Sequence, residues 1–409
     1  MKVSVGIVVM KAIMVPQDLQ PAHSQCGQNS LSRPCQRIYK SRYSSIIPGH
    51  SVSARSILAS SNHFQYATPS SSITSPNPTI HTTPAAPKVF YAGTNIAGFD
   101  FGCDTSGICP LGSITPPGQH GIDQMTHFVS SDNLNTFRLP VSWQYLVADT
   151  LGGPINSENF AAYDELVQGC IAAGAALCII DIHNYARWNG GIVGQGGPSD
   201  NDFIGLWSQL AAVYNDTEQI AFGIMNEPHD LSLGTWAETL QAVVNAIRSA
   251  GANSNIILLP GSGYCAAGGF LDDSAAFLKG IQNPDGGTEG LVFDVHQYLD
   301  FDHSGRHAEC VSDMIDAVFR PLAGWLRENG RMAFLSETGG GSDDPSCLRY
   351  VCSMVQFLNQ NNDVYLGFTG WGAGSFSTGY VLSQTPYLTT GSGMTDQPLV
   401  KQCIIPDFR

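Results

Sequence analysis

Eight short apolar runs, separated by amphipathic stretches, constrain this chain more than any other feature. The runs are Val89 to Ala97, Thr136 to Val141, Leu177 to Ile182, Ile220 to Met225, Asn255 to Leu259, Gly290 to Val295, Met332 to Leu335 and Tyr365 to Thr369. Most are nearly unbroken in apolar character, as expected of strands buried on both faces. Between several of them, Asn159 to Ala173, Phe203 to Tyr214, Trp236 to Ala250 and Met314 to Leu326 carry apolar residues at helical spacing. Strands alternating with helices over roughly 300 residues predict an α/β chain folded as a (β/α)8 TIM barrel. A doubly wound open sheet is the rival, but no G-x-G-x-x-G turn follows the first run.

Polar residues gather where the runs end. Asn95 lies in the first, Arg138 in the second, and His183-Asn184 follows the third. The fourth closes in Asn226-Glu227-Pro228, the sixth in His296 and Tyr298, the seventh in Glu337 and the eighth in Trp371. The fifth, Leu258-Leu259-Pro260-Gly261, offers no ionisable group. Barrel active sites are assembled at this C-terminal face from several strands. Each residue alone has an ordinary reading. A strand-end glutamate is often a cap or an ion-pair partner, and a lone histidine is more often a hydrogen-bonded core residue than a ligand. Their joint placement at strand ends is what chance does not supply.

Two carboxyl groups on strands four and seven face each other across a barrel, and glycosidic cleavage requires such a pair. One protonates the leaving oxygen; the other attacks the anomeric carbon or activates water. Arg138 would hold Glu337 ionised, Tyr298 would orient it, and Asn226 would suit a sugar 2-hydroxyl. His183 and His296 can donate to sugar hydroxyls or to the carboxylates. Trp371 offers a flat face for a pyranose ring. Trp188, in the loop Tyr185-Ala186-Arg187-Trp188-Asn189-Gly190, is expected to be exposed and to offer another. A metal hydrolase built on Asp181, His183, His229 and His296 is the competing enzyme class, yet the chain has no H-E-x-x-H. Nor has it the G-x-S-x-G elbow of a serine hydrolase. A non-catalytic sugar-binding protein would need the aromatics but not two glutamates. No cofactor or metal is expected.

Charge and composition divide the chain. Residues 1–87 hold seven Lys/Arg and one acid, while residues 88–409 hold 12 Lys/Arg against 33 Asp/Glu. So acidic a body repels nucleic acid and anionic membrane and favours a neutral substrate. Eleven cysteines point to an oxidising compartment. Residues 1–24 read as an imperfect signal peptide, with Lys2, an apolar run interrupted by Lys11, and Ala22-His23-Ser24 as a small-residue cleavage site. Residues 25–65 show no periodicity. Residues 66–87 form a Ser/Thr/Pro linker, and 88–409 the catalytic barrel. The single sequon, Asn215-Asp216-Thr217, is a candidate glycan acceptor.

Over about 90–409 the chain resembles glycoside hydrolase family 5, and more narrowly its secreted fungal endo-β-1,4-glucanases. The resemblance runs through Asn95 to Cys103 (NIAGFDFGC), Phe137 to Val141 (FRLPV) and Asp181 to Gly190 (DIHNYARWNG). It continues through Gly223 to Asp230 (GIMNEPHD), Phe293 to Asp300 (FDVHQYLD), Glu337 to Gly341 (ETGGG) and Gly370 to Phe376 (GWGAGSF). It implies a monomer that cleaves internal β-1,4 bonds of cellulose and β-glucans by a retaining double displacement. Glu227 is then the acid/base and Glu337 the nucleophile, with Arg138, His183, Asn226, His296, Tyr298 and Trp371 around them. Mannan- and xyloglucan-cleaving relatives share the same barrel. The resemblance also implies disulfides Cys103–Cys109, Cys170–Cys178, Cys310–Cys347 and Cys352–Cys403, with Cys265 left free. Gln25-Cys26-Gly27-Gln28 and Ile46-Ile47-Pro48-Gly49 are similar to the ends of a cellulose-binding module, but no tryptophan precedes Trp143. No working module is expected there.

Overall fold

The computed structural model describes residues 88–389 and 393–408. The expected signal peptide (1–24), the 25–65 segment and the expected linker (66–87) lie outside the described residues. Eight parallel strands close on themselves: β1 (Tyr91–Ala97), β2 (Thr136–Val141), β3 (Leu177–Ile182), β4 (Ile220–Gly223), β5 (Ile257–Pro260), β6 (Leu291–His296), β7 (Ala333–Glu337) and β8 (Tyr365–Gly374). Each pairs with its sequence neighbours, and β8 returns to β1. This is the expected (β/α)8 barrel, and the open-sheet alternative falls.

The strands conceal a period of two. In β3, Cys178, Ile180 and Ile182 pack outward against the helices, while Leu177 and Ile179 point inward to meet Ala221, Leu258, Val292 and Phe334. These six side chains plug the bottom of the barrel. One step higher on the inward face the residues turn polar: Arg138, Asp181 and Asp294, all fully buried. Apolar plug below and charged cluster above both read as buried sequence, so the burial alone does not tell them apart.

The helical layer includes α1 (Gly118–Asp132), α2 (Ser157–Ala172), α3 (Asp200–Tyr214), α4 (Leu233–Ser249), α5 (Arg320–Asn329) and α6 (Pro345–Gln360). A capping box of Ser199 and Asp202 starts α3, and Asp344 with Pro345 starts α6. The stretch expected as one helix from Met314 to Leu326 is a π-helical turn, Ile315–Phe319, running into α5. Strand four ends at Gly223, earlier than the apolar run suggests, and β8 continues through Trp371 to Gly374.

Four disulfides form: Cys103–Cys109, Cys170–Cys178, Cys310–Cys347 and Cys352–Cys403. Cys265 is free and buried. Of the three glycines after Glu337, Gly340 lies against the Cys310–Cys347 bridge, where a Cβ would come within 2.4 Å of sulfur. The two ends of the barrel meet: the Lys88 ammonium donates to the Phe408 carbonyl at 3.0 Å and lies 4.9 Å over its ring. No helix among the described residues is long and apolar enough to cross a membrane.

Candidate active site

Strand register sets the site. Asn95 pairs with Arg138 across β1 and β2, and His296 with Glu337 across β6 and β7. After β4 the backbone stays extended long enough for the Asn226 N–H to donate to the Ile182 carbonyl at 2.8 Å. It then turns left-handed at Glu227, φ 45°, which aims that side chain over the mouth.

Arg138 is the hub. Its Nη1 donates to Glu337 Oε1 at 2.7 Å and to Asn95 Oδ1 at 2.9 Å, while Nη2 donates to Asn226 Oδ1 at 2.7 Å. Nη2 also pairs with Asp181 Oδ1 at 3.0 Å. Burial works against the guanidinium charge, but Asp181, Glu337 and Asp294 more than offset it, and Arg138 stays protonated.

Glu337 receives a second hydrogen bond, from the Tyr298 hydroxyl to Oε2 at 2.8 Å. Burial pushes its pKa up, yet His296, Arg138 and the Tyr298 hydroxyl together hold it below the usual carboxylate range. Glu337 is therefore ionised. His296 Nδ1 stands 2.9 Å from Glu227 Oε1 and 3.6 Å from Glu337 Oε2. Burial disfavours its charge, but the two glutamates and Asp294 prevail and push its pKa up to about 9.

The tautomers follow from this frame. Arg138 binds Asn226 through Oδ1, so the Asn226 amide nitrogen faces His183 Nε2 at 3.1 Å. His183 accepts there and donates from Nδ1 to Asp181 Oδ2 at 2.8 Å. Its ring stacks on Trp371, centroids 5.4 Å apart and planes 18° from parallel. A cleft of about 420 Å³ opens beside them, lined by Asp100, Phe101, His183, Tyr185, Trp371 and Phe376. A larger cavity of about 730 Å³, lined by Arg248, Asn253, Asn283 and Glu289, lies among residues that precede β5 and β6 and far from this chemistry.

Of the residues singled out from sequence, Glu227, Glu337, Arg138, His183, Asn226, His296, Tyr298 and Trp371 meet in one cluster. Trp188 does not offer the exposed face expected of it. Arg187–Trp188 pairs antiparallel with Gly191–Ile192, and the folded ribbon turns the ring inward. There it meets Trp143 edge-on at 5.3 Å and keeps 9% of its surface. Sequence reasoning missed Asp294 and Tyr380. Asp294 is marked only by its inward phase two residues before His296. Tyr380 accepts from the Trp371 indole and stacks on Phe376 at 4.2 Å.

A closed barrel with one buried, Arg-bound carboxylate and a second, more open one beside it defines a carbohydrate hydrolase of the barrel class. Residues 97–374 match the cellulases, glycosyl hydrolase family 5, and the chain belongs to that family. It is 55% identical to endoglucanase EG-II of Hypocrea jecorina over 326 residues, 77% of each chain. It is 42% identical to manganese dependent endoglucanase Eg5A of Phanerodontia chrysosporium, over 81% of this chain and 83% of that one. The crystal structure of Cel5A (EG2) from Hypocrea jecorina superposes with a TM-score of 0.76 at 55% identity, covering 78% of this chain and 99% of that one.

Proposed function

We propose that this protein is an endo-acting β-1,4-glucanase that hydrolyses cellulose and related β-glucans with retention of anomeric configuration. One observation carries the stereochemical reading: a carboxylate oxygen of Glu227 and one of Glu337 lie within 4.8 Å of each other. Retaining glycosidases hold their carboxyl groups about 5–5.5 Å apart, whereas inverting ones leave about 6.5–9.5 Å for a water. The spacing here falls with the retaining class.

The two glutamates divide the work by environment. Glu337, with 5% of its side chain exposed and held ionised by Arg138, is the nucleophile. It attacks the anomeric carbon as the glycosidic C–O bond breaks, giving a glycosyl ester. Glu227, with 18% exposed, can exchange protons with the cleft. It gives its proton to the departing oxygen, then takes one from the water that opens the ester. The remaining Asn226 amide hydrogen suits the sugar 2-hydroxyl, and Trp371 supplies the platform for the ring in the cleft. Glu337 has its positive partners in Arg138 and His296, so the chemistry runs on side chains without a metal. Four disulfides suit a secreted enzyme, and it acts on polysaccharide as a monomer, without nucleic-acid or membrane partners.

The test follows the first products by NMR as the full chain acts on carboxymethylcellulose, mannan and xyloglucan, with viscosity read in parallel. A fast fall in viscosity on carboxymethylcellulose with the β-anomer released first is expected. Release of the α-anomer would overturn the retaining mechanism, and preference for mannan or xyloglucan would reassign the substrate. Binding without cleavage would return the protein to the sugar-binding class.

A further inference from the structure

Behind the catalytic glutamates lies a group of side chains that hydrolysis does not employ on that side. Cys265, Asp294 and His296 each present a ligand atom, and these atoms lie within 4.8 Å of one another. All three residues keep 2% or less of their surface. They are held there by backbone: Asp294 and His296 share the inward face of β6, and a parallel bridge ties Ala266 to His296. The Ser336 hydroxyl donates to Asp294 Oδ1, and His296 commits Nδ1 to Glu227. That leaves Asp294 Oδ2 and His296 Nε2 buried with no hydrogen-bond partner. A buried polar atom left unpaired costs about 1–3 kcal/mol, and two in one sealed space call for an occupant that satisfies both.

The donor set says which occupant. Thiolate, imidazole and carboxylate together are zinc-type ligands, and a sulfur donor selects against the oxygen-loving magnesium, calcium and manganese ions. A water would need two to four good partners, and a thiol is a poor third. We propose that Cys265, Asp294 and His296 form a binding site for a thiophilic divalent cation of the zinc class, and that its occupancy inhibits the enzyme.

Binding releases the thiol proton, and any proton on Nε2, to solvent as the sulfur and nitrogen take the ion. Inhibition follows from what the sulfur leaves. The backbone N–H of Glu227 donates to the Cys265 sulfur, and Glu227 already sits at φ 45°. Drawing the sulfur onto an ion removes the bond that pins the acid/base above it. Cys265 sits in the Gly263–Cys265 turn, where Tyr264 and Cys265 both have positive φ, and all three ligands are closed off from solvent. Onset is therefore slow rather than immediate.

The probe is Cd2+, whose thiolate complex absorbs in the ultraviolet, with Zn2+ for turnover, both on the full chain. One equivalent of thiolate-bound Cd2+ is expected. A loss of at least about tenfold in hydrolysis of an aryl β-cellobioside should develop with it and be reversed by chelator. Cys265→Ser and Cys265→Ala each lose the thiolate absorbance and, measured against their own metal-free rates, are not slowed further by Zn2+, while Asp294→Asn weakens both absorbance and inhibition. Thiolate absorbance that survives in the two Cys265 variants, absorbance without loss of turnover, or no binding to the wild type would each overturn the proposal.

Discussion

Arg138 and Glu337 are joined by a hydrogen bond of 2.7 Å across 199 residues of sequence, and the guanidinium that makes it is wholly buried. A lysine there keeps the charge but cannot reach Glu337, Asn95, Asn226 and Asp181 together. Arg138→Lys is expected to lower kcat by at least about 10²-fold. It should also lower stability by about 1–3 kcal/mol, because buried acceptors among Asn95, Asn226 and Asp181 lose a donor. Kinetics on an aryl cellobioside and a urea melt measure the two effects.

Glycine replacements separate the glutamates. Glu337→Gly and Glu227→Gly should each lose at least about 10³-fold in turnover on polysaccharide. Added azide restores activity to both, by different routes. The Glu337 variant should yield the α-glycosyl azide, because azide displaces the leaving group directly. The Glu227 variant should yield the β-azide, because azide opens the ester formed on Glu337. Exchange of these products would reverse the assigned roles.

Tyr298→Phe removes one of the donors that hold Glu337 ionised. Activity requires that carboxylate, so it is lost as pH falls through the Glu337 pKa, which lies below the ordinary carboxylate range. Without the phenol the pKa rises. The acidic limb of the kcat/KM profile should move to higher pH, with kcat down about tenfold.

Stability should carry the signature of His296. Its pKa rises from 6.5 unfolded to about 9 folded, so the native state binds its proton more tightly. The stabilisation is complete below about 6.5 and is lost as pH rises through about 9, at an upper bound of about 3 kcal/mol. Wild-type Tm should fall between pH 6.5 and 9.5 by more than that of His296→Gln. Equal falls would remove the histidine as the cause.

Metal removal should leave catalysis intact. After dialysis against EDTA, turnover of the aryl cellobioside is expected to stay within about twofold of the untreated enzyme. A large loss restored by Mn2+ would place this chain with a dependence named for its Phanerodontia relative.

The barrel strands were legible because burial on both faces writes an apolar run that few other elements produce. Their ends were less so. Strand β8 continues through Gly370-Trp371-Gly372, which reads as a turn, and β4 stops at Gly223 although the Ile224-Met225-Asn226 backbone beyond it still bonds to both neighbouring strands. Helix α1 carries Gln119, His120, Asp123 and Gln124 early in its length, and its apolar stripe is too sparse to mark it. Within the site, groups at strand tips announced themselves. Asp294 did not, since its role depends on the Ser336 hydroxyl supplied by the neighbouring strand. Trp188 misled because glycines beside it signal a loop, while the Trp143 that buries it lies 45 positions earlier.

The meeting of Lys88 with Phe408 has a topological consequence. The barrel is nearly a ring along its chain as well as through its hydrogen bonds. A circular permutant, joined by a short linker from 408 to 88 and opened at the exposed Asp285-Gly286-Gly287 turn, would leave every strand in its present order around the barrel. Where the barrel's polypeptide is opened is then a matter of synthesis, and the arrangement of Arg138, Glu227 and Glu337 is indifferent to it.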